Sequence, residues 1–306
     1  MKKLFILAGI LLSHFLHAQT SDSTRSAPMT TVPRLGGVTI SDQIAPIKAD
    51  GNTLLMQLPV VDIGIPLYKD FSTVHAVLIK TGIHYEGLLL TNEKHIGSSS
   101  FQALSVPLLA SYSFNRTTNV TFIGLATAGS DFKKSITAND LFYTVGIRIG
   151  FQPTRSLRYG VTLTYISNYS GKFVLPLPDI DWAISKKWTF TAYVPVRASL
   201  KYALDRRQSI GATTGYMGGM YRLNDGMGDQ YLNLQQYTAG LLYDLKLGSR
   251  WKVNLIAGHT LMQKLQTFNM DQTVPFEGLG KLNDRKANVS YEQQSFVLQV
   301  GISYLF

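Results

Sequence analysis

The chain has 306 residues, no cysteine, 45% hydrophobic and 16% charged residues, and a formal net charge of +10. The absence of cysteine excludes a disulfide-stapled scaffold, a thiolate metal centre and a lipidated cysteine behind a leader. Beyond the N-terminal segment no apolar run is long enough for a transmembrane helix, which leaves exported sheet as the open class.

Lys2 and Lys3, the apolar stretch Leu4 to Leu12 and the small residue Ala18 read as a secretory signal over residues 1–18, cut before Gln19, with Leu16 where an alanine is usual. Its removal takes two lysines and lowers the net charge from +10 to +8. The remaining bases are scattered, so nucleic acid is not an expected partner. Residues 19–35, rich in Ser, Thr and Pro, read as a flexible leader or an inward-folding plug, and residues 36–306 as one barrel domain.

From there a basic tight turn recurs, at Tyr68-Lys69-Asp70, Phe114-Asn115-Arg116, Gln152 to Arg155, Ser185-Lys186-Lys187, Leu204 to Arg207 and Leu247 to Arg250. Two strand-like segments separate consecutive turns. They are expected near 36–47, 53–67, 74–86, 101–114, 117–129, 139–151, 157–169, 173–184, 187–194, 196–204, 208–222, 232–247, 250–265 and 291–306. Their connections vary in length up to the 266–290 loop. Short turns on one rim and variable loops on the other are the pattern of an all-β, transmembrane antiparallel up-and-down barrel. The count is fourteen strands, or twelve if the poorly patterned first segment and the nearly loopless hairpin at Val194-Pro195-Val196 both fail.

Alternation is clearest where Leu141, Tyr143, Val145, Ile147, Ile149 and Phe151 interleave with Thr144, Gly146, Arg148 and Gly150. An arginine between two isoleucines fits a wall with lipid on one side and water on the other. Tyr and Trp recur near strand ends, as at Tyr112, Tyr159, Trp182, Trp188, Tyr202, Tyr243 and Trp251, where aromatic belts belong. The final segment places Phe296, Leu298, Val300, Ile302, Tyr304 and Phe306 on one face and ends the chain on an aromatic. In a soluble sheet that would be an exposed, aggregation-prone edge, whereas a closed barrel gives it two neighbours and lipid to face.

The Ala18-Gln19 junction, the run Pro176-Leu177-Pro178-Asp179-Ile180-Asp181-Trp182, the following Lys186-Lys187-Trp188 and the closing Tyr304-Leu305-Phe306 resemble an uncharacterised outer-membrane β-barrel family, a domain of unknown function of Gram-negative bacteria. The resemblance implies an outer-membrane location. It also implies that Tyr304 and Phe306 form the signal read by barrel-assembly machinery. It carries no catalytic residues.

No enzyme is expected. Outside the leader the histidines are His75, His84, His95 and His259, and neither a Gly-x-Ser-x-Gly nor a His-Glu-x-x-His motif occurs. Asn224 to Asp229 has the oxygens and glycines of a calcium loop without the spacing or final glutamate, and reads as a surface turn. No cofactor or metal is expected.

The remaining charges fall on inward positions. Arg148, Asp181, Lys201 and Asp244 each stand four residues before a short turn, which suggests a girdle of alternating charge near the periplasmic mouth of the lumen. Placement inward because lipid rejects charge explains them equally well. Lys80, Arg197, Lys246 and Lys252, with Glu86 and Asp179, are the other inward charges, a mild basic excess. Inward Gly146, Gly150, Gly160 and Gly301 are expected to leave space for a narrow channel. The expectation is a passive channel or small-solute translocator with mild anion preference, both termini periplasmic, in contact with outer-membrane lipid and lipopolysaccharide. The alternative is a closed structural or adhesion barrel that binds a partner through its outer loops.

Overall fold

The computed structural model describes residues 36–49, 52–71, 75–224, 229–273 and 285–306. The expected signal, the leader over 19–35 and residues 225–228 of the turn from Asn224 to Asp229 lie outside them.

The strands are β1 (Gly37–Ala49), β2 (Asn52–Asp70), β3 (Val77–Thr91), β4 (Ser100–Ser113), β5 (Thr118–Ser130), β6 (Leu141–Thr154), β7 (Leu157–Asn168), β8 (Gly171–Ala183), β9 (Trp188–Tyr193), β10 (Arg197–Ala203), β11 (Gln208–Leu223), β12 (Gln230–Leu247), β13 (Trp251–Asn269), β14 (Val289–Glu292) and β15 (Phe296–Leu305). Each pairs antiparallel with its sequence neighbour, except that β14 and β15 both lie along β13. They are one stave, interrupted at 293–295, where Thr260 Oγ1 accepts the backbone N–H of Ser295 at 2.7 Å. β1 pairs with β2 on one side and β15 on the other, from Gly37↔Leu305 to Ile44↔Leu298, and this seam closes a fourteen-stave barrel. The fourteen expected segments are all present. β13 extends four residues past its expected end, so the long connection shrinks to 270–288.

The wall is built on period two. Along β6 and β7, Ile147 and Leu163 are 55% and 56% exposed while inward Thr162 is 1% exposed. A 14-residue strand such as β6, tilted about 40°, rises about 35 Å, enough for an apolar band about 25 Å tall. Aromatics gather at the rim that carries the chain ends, hereafter the terminal rim: Trp251 against Tyr304 at 4.8 Å between ring centres, Trp188 against Tyr202 at 5.0 Å, and Phe151 against Tyr159 at 5.6 Å. Amphipathic rings belong at such a boundary.

The opposite rim, which carries the long connections, is not an open mouth. β11 carries Gly218-Gly219, and β13 carries a bulge against β12, where Tyr237 faces Met262 and Thr238 faces Thr260 with Leu261 left over. Beyond this line the β11–β12 tip folds inward until Arg222 bridges Ser130 of β5 on the facing wall. Both faces of β12 are therefore covered: Tyr231, Leu232, Asn233 and Leu234 are all at most 3% exposed. On one side of the tip, Leu232, Leu234, Tyr221 and Leu223 pack against Ile47, Met56, Leu58, Leu88 and Phe101. On the other, Tyr231 packs with Tyr169 and Phe268, against Phe142 and Met220. Closure buries apolar surface that an open, water-filled mouth would expose, and this supplies its driving force.

Candidate functional site: the charged lumen and its closed mouth

Below the closed mouth the inner face is polar. Hydroxyl pairs knit adjacent staves, with Ser105 and Thr127 at 2.8 Å, Thr191 and Ser199 at 2.8 Å, and Thr39 donating to Ser303 at 3.0 Å. Gln43 Nε2 of β1 donates to Gln236 Oε1 of β12 at 2.5 Å, so staves three places apart round the wall are also linked through the interior.

Of the four residues expected in a girdle, Arg148 is in a two-pronged ion pair. Its Nε and Nη2 donate to the two oxygens of Asp179, each at 2.7 Å, and Nη1 donates to Asn119 at 3.1 Å. The planar guanidinium matches a carboxylate in this geometry. Asp181 stands two residues nearer the terminal rim on β8, opposite Arg158 of β7 and Thr191 of β9. Lys201 Nζ reaches Asp244 Oδ2 at 2.8 Å, and Lys252 Nζ reaches the same oxygen at 2.9 Å. Lys246 lies directly opposite Lys252 in the β12–β13 register. Asp179, Asp181 and Asp244 are each 5% exposed, so their charges are held inside the protein.

The inward glycines do not leave open space, contrary to the expectation. Arg148 lies over Gly160, where a Cβ would sit 2.7 Å from Nη2, and over Gly150. The Asn254 side chain fills the place of a Cβ at Gly301, and Thr162 and Thr164 crowd Gly146. Glycine serves here as the floor on which a long polar side chain lies.

A second ionic set stands on β2 and β3. His84 Nδ1 meets Asp62 Oδ1 at 2.7 Å, and Nε2 is 3.8 Å from Glu86 Oε2. Glu86 in turn accepts from Tyr221 of the folded-in tip at 3.1 Å. The register sets Asp62, His84 and Ser105 in one row. The Ser105 hydroxyl bonds to Thr127, and the second imidazole nitrogen turns to Glu86, so the row forms a ladder rather than a nucleophile relay. His259 is on the lipid-facing side with Nδ1 2.9 Å from the Thr260 carbonyl, and His75 stacks on Tyr112. Among the described residues no cluster of His, Asp and Glu suits a metal ion.

The loop rim holds a third set. Arg222 donates to Asp229 at 2.7 Å and to Thr137 at 3.1 Å, and its guanidinium is 3.9 Å from buried Asp140. Its carbonyl accepts from the Asp131 backbone N–H at 3.0 Å, and Asn224 Nδ2 donates to Ser130 at 2.8 Å. Arg285 donates to Ser170 and to Tyr231, and lies 4.2 Å above the Phe268 ring. In the sequence, Asn224 to Asp229 reads only as a surface turn and Asp131, Asp140, Arg222 and Arg285 carry no role, because the bonds that tie this rim together, such as Arg222 to Thr137, Asn224 to Asp131 and Arg285 to Ser170, span tens of residues. Arg158 was readable, since it alternates with Gly160, Thr162 and Thr164, already set inward.

No curated protein sequence matches the chain. Among solved structures it is similar to an outer membrane channel from Pseudomonas putida F1, with 8% identity over 93% of this chain and 100% of that one and a TM-score of 0.45. It is also similar to the KdgM porin in complex with disordered oligogalacturonate, with 12% identity, 88% and 99% coverage and a TM-score of 0.35. The toluene transporter TodX of Pseudomonas putida matches at 10% identity, 90% coverage of both chains and a TM-score of 0.37. Likenesses this distant bear on neither ligand nor mechanism. The family model described as Domain of unknown function (DUF6268) matches residues 100–304, from β4 through β15 and about two thirds of the chain, and the protein belongs to that family.

Proposed function

We propose that the protein is an outer-membrane translocator for small solutes, passive and mildly anion-preferring, that rests shut at the loop rim with both termini in the periplasm. The observation that carries this reading is the division of the interior. A charged, hydroxyl-lined half lies toward the terminal rim, and beyond it a tip folds inward past Gly218-Gly219 of β11 and the bulge at Leu261 of β13. A bulge and paired glycines are the places where a strand turns most easily. Inward bases outnumber inward acids, which favours anions in a low-dielectric lumen. In this reading the lipid and lipopolysaccharide of the outer membrane cover the apolar wall, and Tyr304 and Phe306 present the chain to barrel-assembly machinery.

Single-channel recording in planar bilayers tests it. Wild-type protein is expected to be mostly closed, and Arg222→Ala combined with Asn224→Ala to give steady, salt-dependent openings with anions favoured over cations. The two apolar cores in the mouth favour a second reading, a permanently closed structural barrel. Silence from both proteins, each shown to be folded by heat-modifiable migration on gels, would establish that second reading in place of the first.

A further inference from the structure

The fold gathers onto one rim bases that look scattered in the sequence. Six short turns close the terminal rim, and four of them carry one base while two carry a pair, Lys186-Lys187 and Arg206-Arg207. Against these eight bases stand two acids, Asp70 and Asp205, and the Asp205 carboxylate is bonded to the backbone of its own turn. The turns therefore hold six of the eight net positive charges that remain once the leader is removed. Seven of the eight bases are exposed, and Arg250 is half-buried. They stand directly beside the aromatic belt. Lys187 Nζ donates to the Tyr202 hydroxyl at 3.3 Å and lies 5.4 Å from the centre of that ring, and Arg250 donates to the Tyr304 hydroxyl at 2.9 Å. Belts of such rings mark the depth of lipid headgroups.

We propose that this basic ring is an interaction surface for anionic phospholipid, whose headgroup phosphates it binds in the periplasmic leaflet. It takes from the proposed function only the periplasmic position of the terminal rim, and it holds whether or not the barrel conducts. Bases in all six turns surround the barrel, which matches an annulus of lipid, whereas a protein partner fits a patch on one side. A headgroup phosphate accepts the stronger, charge-assisted kind of bond from Lys and Arg. One such base close to an anionic surface favours it by about 5-fold. Long basic side chains at this depth lay their stems along apolar surface and keep the charge among the headgroups.

The chain's three tryptophans, Trp182, Trp188 and Trp251, all stand at this rim and are 43%, 42% and 41% exposed, so their fluorescence reports on the lipid beside it. The test is quenching of that fluorescence in the full-length barrel, reconstituted in mixed bilayers, by brominated phosphatidylglycerol and separately by brominated phosphatidylcholine. At low ionic strength the anionic lipid is expected to quench as if bound about 5-fold more tightly. In about 1 M salt, where the screening length falls to about 3 Å, the preference should disappear. Lys186→Gln, Lys187→Gln, Arg206→Gln and Arg207→Gln combined should lower it to about 2-fold or less at low salt. Their side chains are exposed, so the unfolding midpoint of the variant should stay near that of wild type, and the salt series on wild type tests the proposal by itself if the variant folds poorly. Equal quenching by the two lipids at low salt, or a preference undiminished in the folded variant, overturns the proposal. Equal quenching together with sedimentation of the wild-type barrel on purified peptidoglycan would assign the rim to the cell-wall polymer, and overturn the lipid assignment. Both leaflets of the vesicle contain the same lipids, so the result is independent of which way the barrel stands. A C-terminal tag accessible on intact cells would overturn the periplasmic placement alone.

Discussion

Arg148 and Asp179 join β6 to β8 over the top of β7, with both carboxylate oxygens 2.7 Å from the guanidinium and Gly160 beneath it. The Asp179 side chain is 1% exposed, so loss of its partner strands a buried charge. Arg148→Ala is therefore expected to cost about 3–5 kcal/mol, and Arg148→Met with Asp179→Leu to recover most of it, because an apolar pair of similar volume needs no counter-charge. Denaturant unfolding of the refolded barrel in detergent checks both. Equal stability of the single variant and wild type would show that the pair contributes nothing.

Gly160 makes the same pair testable from the backbone side. A Cβ there would sit 2.7 Å from both Arg148 Nη2 and the Ile149 carbonyl oxygen. The guanidinium can swing away but the carbonyl cannot, so Gly160→Ala should destabilise by about 1–3 kcal/mol, the range of overpacking in a filled interior. Gly248→Ala is the useful contrast. Its φ of +74° is strained for alanine although nothing lies within 4 Å, so that variant should lose stability through strain without disturbing the ion pair.

What could be read in advance follows the range of each interaction. Ile147, Arg148 and Ile149 alternate because neighbours in one strand meet two solvents, and that pattern needs no knowledge of the rest of the chain. The turns at Asn115 and Asp205 announce themselves through side chains that bond their own backbone. The closed mouth is different in kind. Ser130 and Arg222 are brought together across 92 residues by the inward fold of the β11–β12 tip, and nothing local to either residue announces the other. The runs Tyr231 to Leu234 and Tyr221 to Leu223 read as ordinary wall, and only their burial on both faces shows that they have left it. The inward lysines were placed on the right face, but which of them share Asp244 depends on stave order and not on spacing.

Tyr221 ties the folded-in tip to the wall through two contacts that can be separated. Its ring lies 5.7 Å from Phe101 and its hydroxyl donates to Glu86 at 3.1 Å. Tyr221→Phe keeps the packing and leaves one Glu86 oxygen without that donor, at an expected cost of about 1–3 kcal/mol. Tyr221→Ala also removes the ring, at about 3–5 kcal/mol. Hydrogen exchange of the 220–223 and 231–234 amides should rise in the same order, more than in β6 or β7. Uniform loss of protection around the barrel would argue that the tip is not a separate opening unit.

Asp205 supplies a pH dependence outside the membrane-spanning wall. Its Oδ1 accepts the backbone N–H groups of Arg207 and Gln208 at 2.6 and 2.7 Å, and these bonds hold its carboxyl below the usual carboxylate range. A depressed folded-state value means that the contribution is present above the unfolded value, about pH 4, and is lost as the pH falls through the lower folded one. The β10–β11 turn should thus exchange its amides faster in acid, relative to the intrinsic rate, than it does at neutral pH. Asp205→Asn retains the acceptor oxygen and should remove that acid step. If the step persists in the variant, another group is responsible.

Phe306 separates assembly from stability. Its side chain is 59% exposed and meets Tyr304 edge-on at 6.1 Å, while Tyr304 itself packs on Trp251 and accepts from Arg250 at 2.9 Å. An exposed ring at the end of a stave adds little to the finished barrel, so Phe306→Ala should shift its unfolding by less than about 1 kcal/mol. Tyr304→Ala, which breaks the Trp251 contact and the Arg250 bond, should shift it by more. If Phe306 acts as the assembly signal, the ranking in cells reverses: Phe306→Ala should deplete folded protein from the outer membrane at least as severely as Tyr304→Ala, despite its smaller effect on the purified barrel. Outer-membrane fractions compared with refolding yields in detergent distinguish the two. Parallel losses in both assays would mean that the terminal aromatic works only through stability.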